Sequence, residues 1–220
     1  ISSTTMVEEP PTKWADMWDV EYSNNVLMFN NSRDAFATAQ YMLGLNVNSD
    51  DHSEWEQALA KLKEQRPLVK SYVMDEIYNM MESGEAAIGA YYAGDYFTML
   101  DAEADDVDLR FYYPERTNYF IDAMCIPSCC QNKELAEIFI NYMLSAEPAI
   151  ANAEYIYYAS PNSLVYEDEG YQEDLGEETM EILYPEIEDF SALYNEYAYR
   201  NLDSDMLDFV NTLWETLKIS

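Results

Sequence analysis

Val26-Leu27-Met28-Phe29-Asn30-Asn31-Ser32-Arg33-Asp34-Ala35-Phe36 decides the class of the fold. Val26 to Phe29 is a run of four apolar residues, the length of a buried strand and too short for a core helix. Asn31 or Ser32 can then cap a helix, because a short side-chain oxygen accepts from the open amides of a first turn. Phe36, Ala39 and Leu43 recur behind the cap at helical spacing, and Gly44 can end the helix in the left-handed conformation. A buried strand leading straight into an amphipathic helix is the building block of an α/β domain.

The same alternation continues outward. Ser53-Glu54-Trp55-Glu56 reads as a capping box, with Trp55, Leu59 and Leu62 as the apolar stripe behind it and Pro67 as the stop. A short helix from Asp75 to Met81 ends before Ser83-Gly84. Ala86 to Tyr92 reads as a strand of small residues, where something packs closely. Gly94 turns the chain, and Asp95 can cap the next helix. Val107, Leu109, Phe111 and Tyr113 alternate as a strand ending at Pro114, and Tyr119 to Ile126 reads as another, closed by Pro127. Asn132 to Leu144 is the clearest helix, with Leu135, Ile138, Phe139 and Tyr142 at i, i+3, i+4 and i+7. Pro148 marks a break near its end, and a further helical stretch precedes the Ser160-Pro161-Asn162 turn. The last helix starts near Asp205 and carries Met206, Val210, Leu213, Trp214 and Leu217 on one face.

Composition narrows the partners. The 220 residues hold 43 Asp and Glu against 11 Lys and Arg, a formal net charge of −32. Nucleic acid is excluded as the main partner, because binding it needs a basic patch that releases counterions. An anionic membrane surface is disfavoured for the same reason. A cationic partner is favoured, since such a field concentrates cations. No run of 18 apolar residues exists, so no segment reads as a membrane-spanning helix.

Motifs for catalysis are sparse. His52 is the single histidine. It sits in a polar run that reads as a surface loop, and one His cannot build H-E-x-x-H. Cys125, Cys129 and Cys130 are odd in number and match no zinc or redox spacing, so they read as small buried or half-buried residues. Glu167 to Glu178 holds seven acids and no base, which reads as a solvated loop. It lacks the alternating acids and glycine of a calcium loop. No metal, cofactor or catalytic residue is expected.

The order of short stretches along the chain resembles the spermidine/putrescine-binding proteins of bacterial ABC importers. The stretches are Trp14-Ala15-Asp16-Met17-Trp18, Asn31-Ser32-Arg33-Asp34, Gln65-Arg66-Pro67-Leu68-Val69, Gly84-Glu85-Ala86-Ala87 and Tyr92-Ala93-Gly94-Asp95. They continue with Phe120-Ile121-Asp122 followed by Ile126-Pro127, Asn132-Lys133-Glu134-Leu135-Ala136, Tyr158-Ala159-Ser160-Pro161-Asn162 and Leu213-Trp214-Glu215-Thr216-Leu217-Lys218. Each is weak alone; their shared order and spacing is specific. The resemblance implies a lobe of a type II periplasmic binding protein, a mixed central sheet flanked by helices, with the second lobe incomplete. Residues 1–121 and 168–220 would form lobe 2, and 122–167 the segment returning to lobe 1. The N-terminal part of lobe 1 has no counterpart in this sequence.

A polyamine carries ammonium groups separated by methylene spacers. Carboxylates can grip the ammoniums through charge-assisted hydrogen bonds, and aromatic faces can cover the methylenes and attract the cation. The resemblance assigns ligand contacts to Asn31, Asp34, Tyr92, Phe120, Asp122 and Arg200. Asp122 matches the family's central amine-binding carboxylate, Phe120 a stacking ring, Tyr92 a second pocket aromatic, and Asp34 an acid after the helix start. Asn31 stands where many members have Asp. Arg200 stands where the family offers a neutral amide, and a cation there opposes a polycation unless it turns away or pairs with an acid. Tyr199 beside it can offer a ring, and Arg33 reads as an ion-pair partner within lobe 2.

The expected function is a non-catalytic binding module delivering polyamines to an ABC permease, outside the cytoplasmic membrane in the periplasm or held at the cell surface by the transporter or by a lipid anchor lying beyond this chain. Three alternatives stand beside it. The same fold could bind another amine, a peptide or an anionic solute. The lobe could serve only as an extracellular interaction domain. An acid–base hydrolase with paired carboxylates rests only on the abundance of acids.

Overall fold

The computed structural model describes residues 1–101 and 108–219. The strands are β1 (Ser2–Ser3), β2 (Val26–Phe29), β3 (Val69–Val73), β4 (Ile88–Gly89) and β5 (Leu109–Arg110). The first five helices are α1 (Ser32–Leu43), α2 (His52–Gln65), α3 (Glu76–Glu82), α4 (Ala93–Asp101) and α5 (Lys133–Met143). The rest are α6 (Ala146–Ile156), α7 (Ser163–Tyr166), α8 (Glu169–Leu183), α9 (Phe190–Tyr197) and α10 (Ser204–Lys218). The chain divides into two units, one of Ile1–Tyr91, Met99–Phe120 and Asp189–Ser220, the other of Tyr92–Thr98 and Ile121–Glu188.

The first unit is built on a mixed sheet in the order β3-β2-β4-β1-β5. β2 pairs parallel with both β3 and β4, and β1 pairs antiparallel with β4 and β5. Every residue of β2 is buried, as a parallel strand covered on both faces requires. α1, α2 and α10 share one core of Phe36, Ala39, Trp55, Ala58, Leu62, Met206, Val210 and Leu217. Each large side chain fully buried there contributes about 1.5–3 kcal/mol. α1 follows the sequence expectation at both ends. Asn31 Oδ1 accepts from the amides of Arg33 and Asp34, and Gly44 closes the helix at φ 70°. Gly89 in β4 answers the expected close approach, because a Cβ there would lie 3.0 Å from Ile77 Cδ1 of α3.

The second unit has a small core, Ala149, Ala153, Val165 and Tyr171 from α6, α7 and α8. α8 bends at Gly176, whose φ of 75° and ψ of 165° lie outside helical space. That backbone conformation is open to glycine and strained for other residues.

The structure corrects several local expectations. α2 is capped by Asp51, whose Oδ1 accepts from Ser53 N at 2.8 Å, so Ser53 lies inside the helix and no capping box forms. His52 is therefore the first helical residue rather than part of a loop, and its ring stacks on Phe209 with centroids 3.9 Å apart. α4 begins at Ala93, so Gly94 and Asp95 belong to its first turn. Glu167 to Glu178 is largely helical, because Tyr171 and Leu175 supply an apolar anchor among the acids. Cys125 and Cys129 are exposed rather than buried. Tyr119 to Ile126 forms no strand; no neighbouring strand among the described residues supplies the ladder that would define one. Of the alternating stretch before it, only Leu109 and Arg110 form a strand, and Val107 lies outside the described residues. Four elements had no reading in the sequence: β1, β3, α7 and α9.

Candidate ligand-binding site

The first unit holds Asn31, Asp34, Phe120 and Arg200 of the expected contacts, and the second holds Tyr92 and Asp122. Asn31, Asp34 and Arg200 meet at the start of α1. Asp34 sits in the first turn and is only 7% exposed. The Tyr199 hydroxyl donates to its Oδ1 at 2.9 Å. Burial, and next the Asp34 charge, hold the Tyr199 phenol well above its ordinary pKa. It therefore stays protonated and remains a donor to the carboxylate.

Arg33 is held by rings rather than standing in open solvent. Its guanidinium lies 4.8 Å from the Tyr199 ring centroid and 5.5 Å from that of Trp55. A planar cation suits both faces. Burial lowers its pKa. Its Nη2 donates to Asn48 Oδ1 at 3.0 Å, and the Arg200 amide donates to the same oxygen at 2.7 Å. Asn48 Nδ2 donates in turn to Ala198 O at 2.9 Å. One amide side chain thus ties α1 to the segment that carries Tyr199 and Arg200. Sequence reading passed over Asn48, since it lies in a polar run with no periodicity.

Arg200 is exposed, and its Nη2 donates to Asn195 O at 3.0 Å. The partner of Asp34 at this point is the neighbouring Tyr199. Asn31 has its oxygen committed to two amides of α1, at 2.9 and 3.4 Å. What it has left to offer a ligand is an N–H donor. Phe120 is 45% exposed in a stretch without regular structure.

In the second unit, half-buried Tyr92 immediately precedes α4. One turn on, Asp95 Oδ2 accepts from the Tyr158 hydroxyl at 2.7 Å. The Tyr158 ring lies on Gly94 so closely that a Cβ there would come within 2.3 Å of it. Gly94 is therefore the residue that lets the ring and Asp95 meet. Tyr157 ends α6 at φ 53° and places its ring 5.9 Å from Phe97. Sequence reading missed Tyr158 as a polar partner; the glycine opposite it was the available signal of close approach. Asp122 is exposed and, like Phe120, outside regular structure. Among the described residues no group of three or more His, Cys, Asp or Glu could hold a metal ion. No helix among them is long and apolar enough to cross a membrane.

Residues 1–177 match the model of the bacterial extracellular solute-binding protein family. The chain is 30% identical over 206 residues to the spermidine/putrescine-binding periplasmic protein of Salmonella typhimurium, covering 90% of this chain and 58% of that one. A spermidine/putrescine ABC transporter substrate-binding protein from Streptococcus pneumoniae superposes with a TM-score of 0.81 at 31% identity, over 99% of this chain and 65% of that chain. A putative spermidine/putrescine ABC transporter protein from Listeria monocytogenes gives 0.81 at 30% identity with the same coverage. The chain thus spans about three fifths of the curated relative it matches.

Proposed function

This chain belongs to the bacterial extracellular solute-binding protein family, and from that premise we propose that it is part of a polyamine receptor feeding an ABC importer. The observation that carries the reading is that each unit pairs a carboxylate with a phenol beside an expected contact: Asp34 with Tyr199 in the first, Asp95 with Tyr158 next to Tyr92 in the second. Carboxylates and aromatic faces are the two groups an alkyl-ammonium chain needs. The named substrates of relatives at 30–31% identity support it. The chain binds and releases its ligand without chemistry. Its partner is the permease of the importer, and its site of action lies outside the cytoplasmic membrane.

In this reading residues 1–121 and 168–220 are lobe 2, and 122–167 return to lobe 1. The change of unit at Ile121 falls beside the first border, while residues 168–188 stay with the second unit. Asp122 and Phe120 grip and cover an amine, and ligand binding closes the lobes. Substituting Asp122→Asn in the complete receptor should weaken spermidine binding by about 1.5–3 kcal/mol, the range for a hydrogen bond to a charged group. An unchanged dissociation constant in calorimetric titration removes Asp122 from the site.

A second reading is favoured by the donors gathered at the start of α1. Asn31 offers only N–H groups, Arg33 Nη1 is buried without a hydrogen-bond partner, and Arg200 adds an exposed cation. These suit a ligand with an acceptor at one end, such as an acylated amine, a peptide or an anionic solute. Ranking spermidine against an N-acetylated diamine separates the two readings, since only the second expects the acetyl group to strengthen binding.

A further inference from the structure

We propose that the cleft where α1 ends binds a small zwitterion, a free amino acid or a compound with the same pairing of one carboxylate and one ammonium. The cleft is lined by residues of the first unit alone and has a volume of about 150 Å³. A cavity of about that size accepts benzene when its walls are apolar, so a ligand of roughly six or seven non-hydrogen atoms fits. Asp34 sits in the first turn of α1 and Gly44 closes the last. At roughly 1.5 Å per residue the two lie about 15 Å apart along the axis. The cleft is therefore away from Asn31 and Asp34, and the proposal stands whether or not the chain binds polyamines.

Tyr41 and Val47 form the buried base of the cleft. The half-buried Tyr197 ring meets Tyr41 edge-on at 5.8 Å, and its carbonyl accepts from the Tyr41 hydroxyl at 3.0 Å. Arg116 and Glu196 also line the cleft, and no ion pair joins them to each other among the described residues. Burial and a hydrogen bond to Glu196 raise the Tyr197 phenol above its ordinary pKa, while the Arg116 charge pulls it down, so both charges lie near one phenol. The guanidinium rests against Gly44, where a Cβ would stand 3.1 Å from Nη1. Trp14 Nε1 donates to Arg116 O at 2.6 Å, and the Trp14 ring stacks on Tyr41 at 6.3 Å. The segment that carries the cation is thus pinned to the base in advance, which lowers the ordering cost of binding. Charge then selects the ligand. A carboxylate suits the planar fork of Arg116, and an ammonium suits Glu196 and the Tyr197 ring. A simple anion meets Glu196 and the carbonyl end of α1, and a simple cation meets Arg116. A zwitterion escapes both repulsions, and its zero net charge leaves it indifferent to the protein's −32. Arg116 also complements the carbonyl end of α1, a role that needs neither the cleft nor Glu196.

The test titrates L-alanine, γ-aminobutyrate, acetate and methylammonium into the complete 220-residue chain and follows backbone amide shifts by nuclear magnetic resonance, at low and at physiological salt. We expect an amino acid to saturate one site, to move the amides of Gly44, Leu45 and Val47, and to bind at least about 10-fold more tightly than acetate or methylammonium, since each half-ligand forgoes one charge-assisted bond. Salt should leave that affinity unchanged. Arg116→Lys keeps the charge beside the end of α1 and loses the fork, so it should weaken amino-acid binding about 10-fold with the urea midpoint unmoved. Glu196 is exposed, so Glu196→Gln tests the same site without touching the core, and it should weaken binding to a similar extent. The proposal is overturned if neither amino acid saturates, or if acetate or methylammonium binds as well as the amino acids do. Shifts confined to Arg33 and Asp34 overturn it as well, because they place the ligand at the other end of α1. So does binding that ignores both substitutions, which leaves Arg116 as a partner of the helix end alone.

Discussion

Asp34, Tyr199 and Arg33 act together at the start of α1. The phenol donates to a carboxylate that is nearly excluded from water, and the guanidinium lies over the phenol's ring. Tyr199→Phe keeps the ring and removes the donor. It should cost about 1.5–3 kcal/mol in urea unfolding, because the bond is to a charged group. The raised pKa of Tyr199 also sets a pH dependence. A phenol kept protonated in the fold ionises near 10 once unfolded, so its stabilisation is complete below that value and is lost as pH rises beyond it. Burial pushes Tyr113 in the same direction, to about 12. Unfolding midpoints should therefore fall between pH 10 and 12, and Tyr199→Phe should flatten that fall; an equal slope in the variant would show that Tyr199 titrates normally. Arg200 bonds to Asn195 through its side chain and to Asn48 through its backbone. Arg200→Gln should keep or improve polyamine affinity, whereas a large loss would mean that Arg200 grips an anionic group of the ligand.

At the scale of elements, local signals and partner-dependent structure separate cleanly. β2, α1, α2, α5 and α10 were legible because each announces itself within its own residues, through an apolar run, a cap or a helical stripe. β3 was missed because Val69-Lys70-Ser71-Tyr72-Val73 buries only its ends, so its pattern is faint. Tyr119 to Ile126 was overread, since strand composition alone does not supply a partner. The acidic stretch was underread, since Tyr171 and Leu175 among its acids, with Met180 beyond them, anchor α8 on the core of its unit. The candidate site shows the same division. Asp34 and Tyr92 are expected contacts that the resemblance supplies, whereas Asn48 and Tyr158 act through contacts between segments far apart in sequence. Substitutions at two positions test these elements. Asn31→Ala should cost roughly 1 kcal/mol through the lost cap, while Asn31→Asp should retain it. Gly94→Ala should displace Tyr158 and cost about 1–3 kcal/mol by overpacking, read as a change in the near-ultraviolet signal; an unaltered signal would mean that the ring adjusts freely.

The whole molecule is governed by its charge. With 11 Lys and Arg against 43 acids, most acids can have no cation of their own, and the ion pairs include Lys61–Glu64, Lys70–Glu85 and Lys133–Glu137. Self-repulsion opposes compaction, and salt screens it with a Debye length of about 8 Å at 0.15 M. The melting temperature should therefore rise by a few degrees between 10 mM and 150 mM sodium chloride, the scale of about 1 kcal/mol for a chain this size; a fall would show that local ion pairs outweigh the net charge. The same field attracts any polycation without a site, so binding alone does not establish a receptor. The decisive measurement is calorimetric titration of putrescine, spermidine and spermine into the receptor with lobe 1 restored, at low and at 0.15 M salt, with the 220-residue chain titrated beside it. The polyamine reading predicts tight, one-to-one binding that survives salt in the restored receptor and is absent from the chain alone. Weak binding that disappears with salt in both would contradict it and leave the acids as a solvated surface.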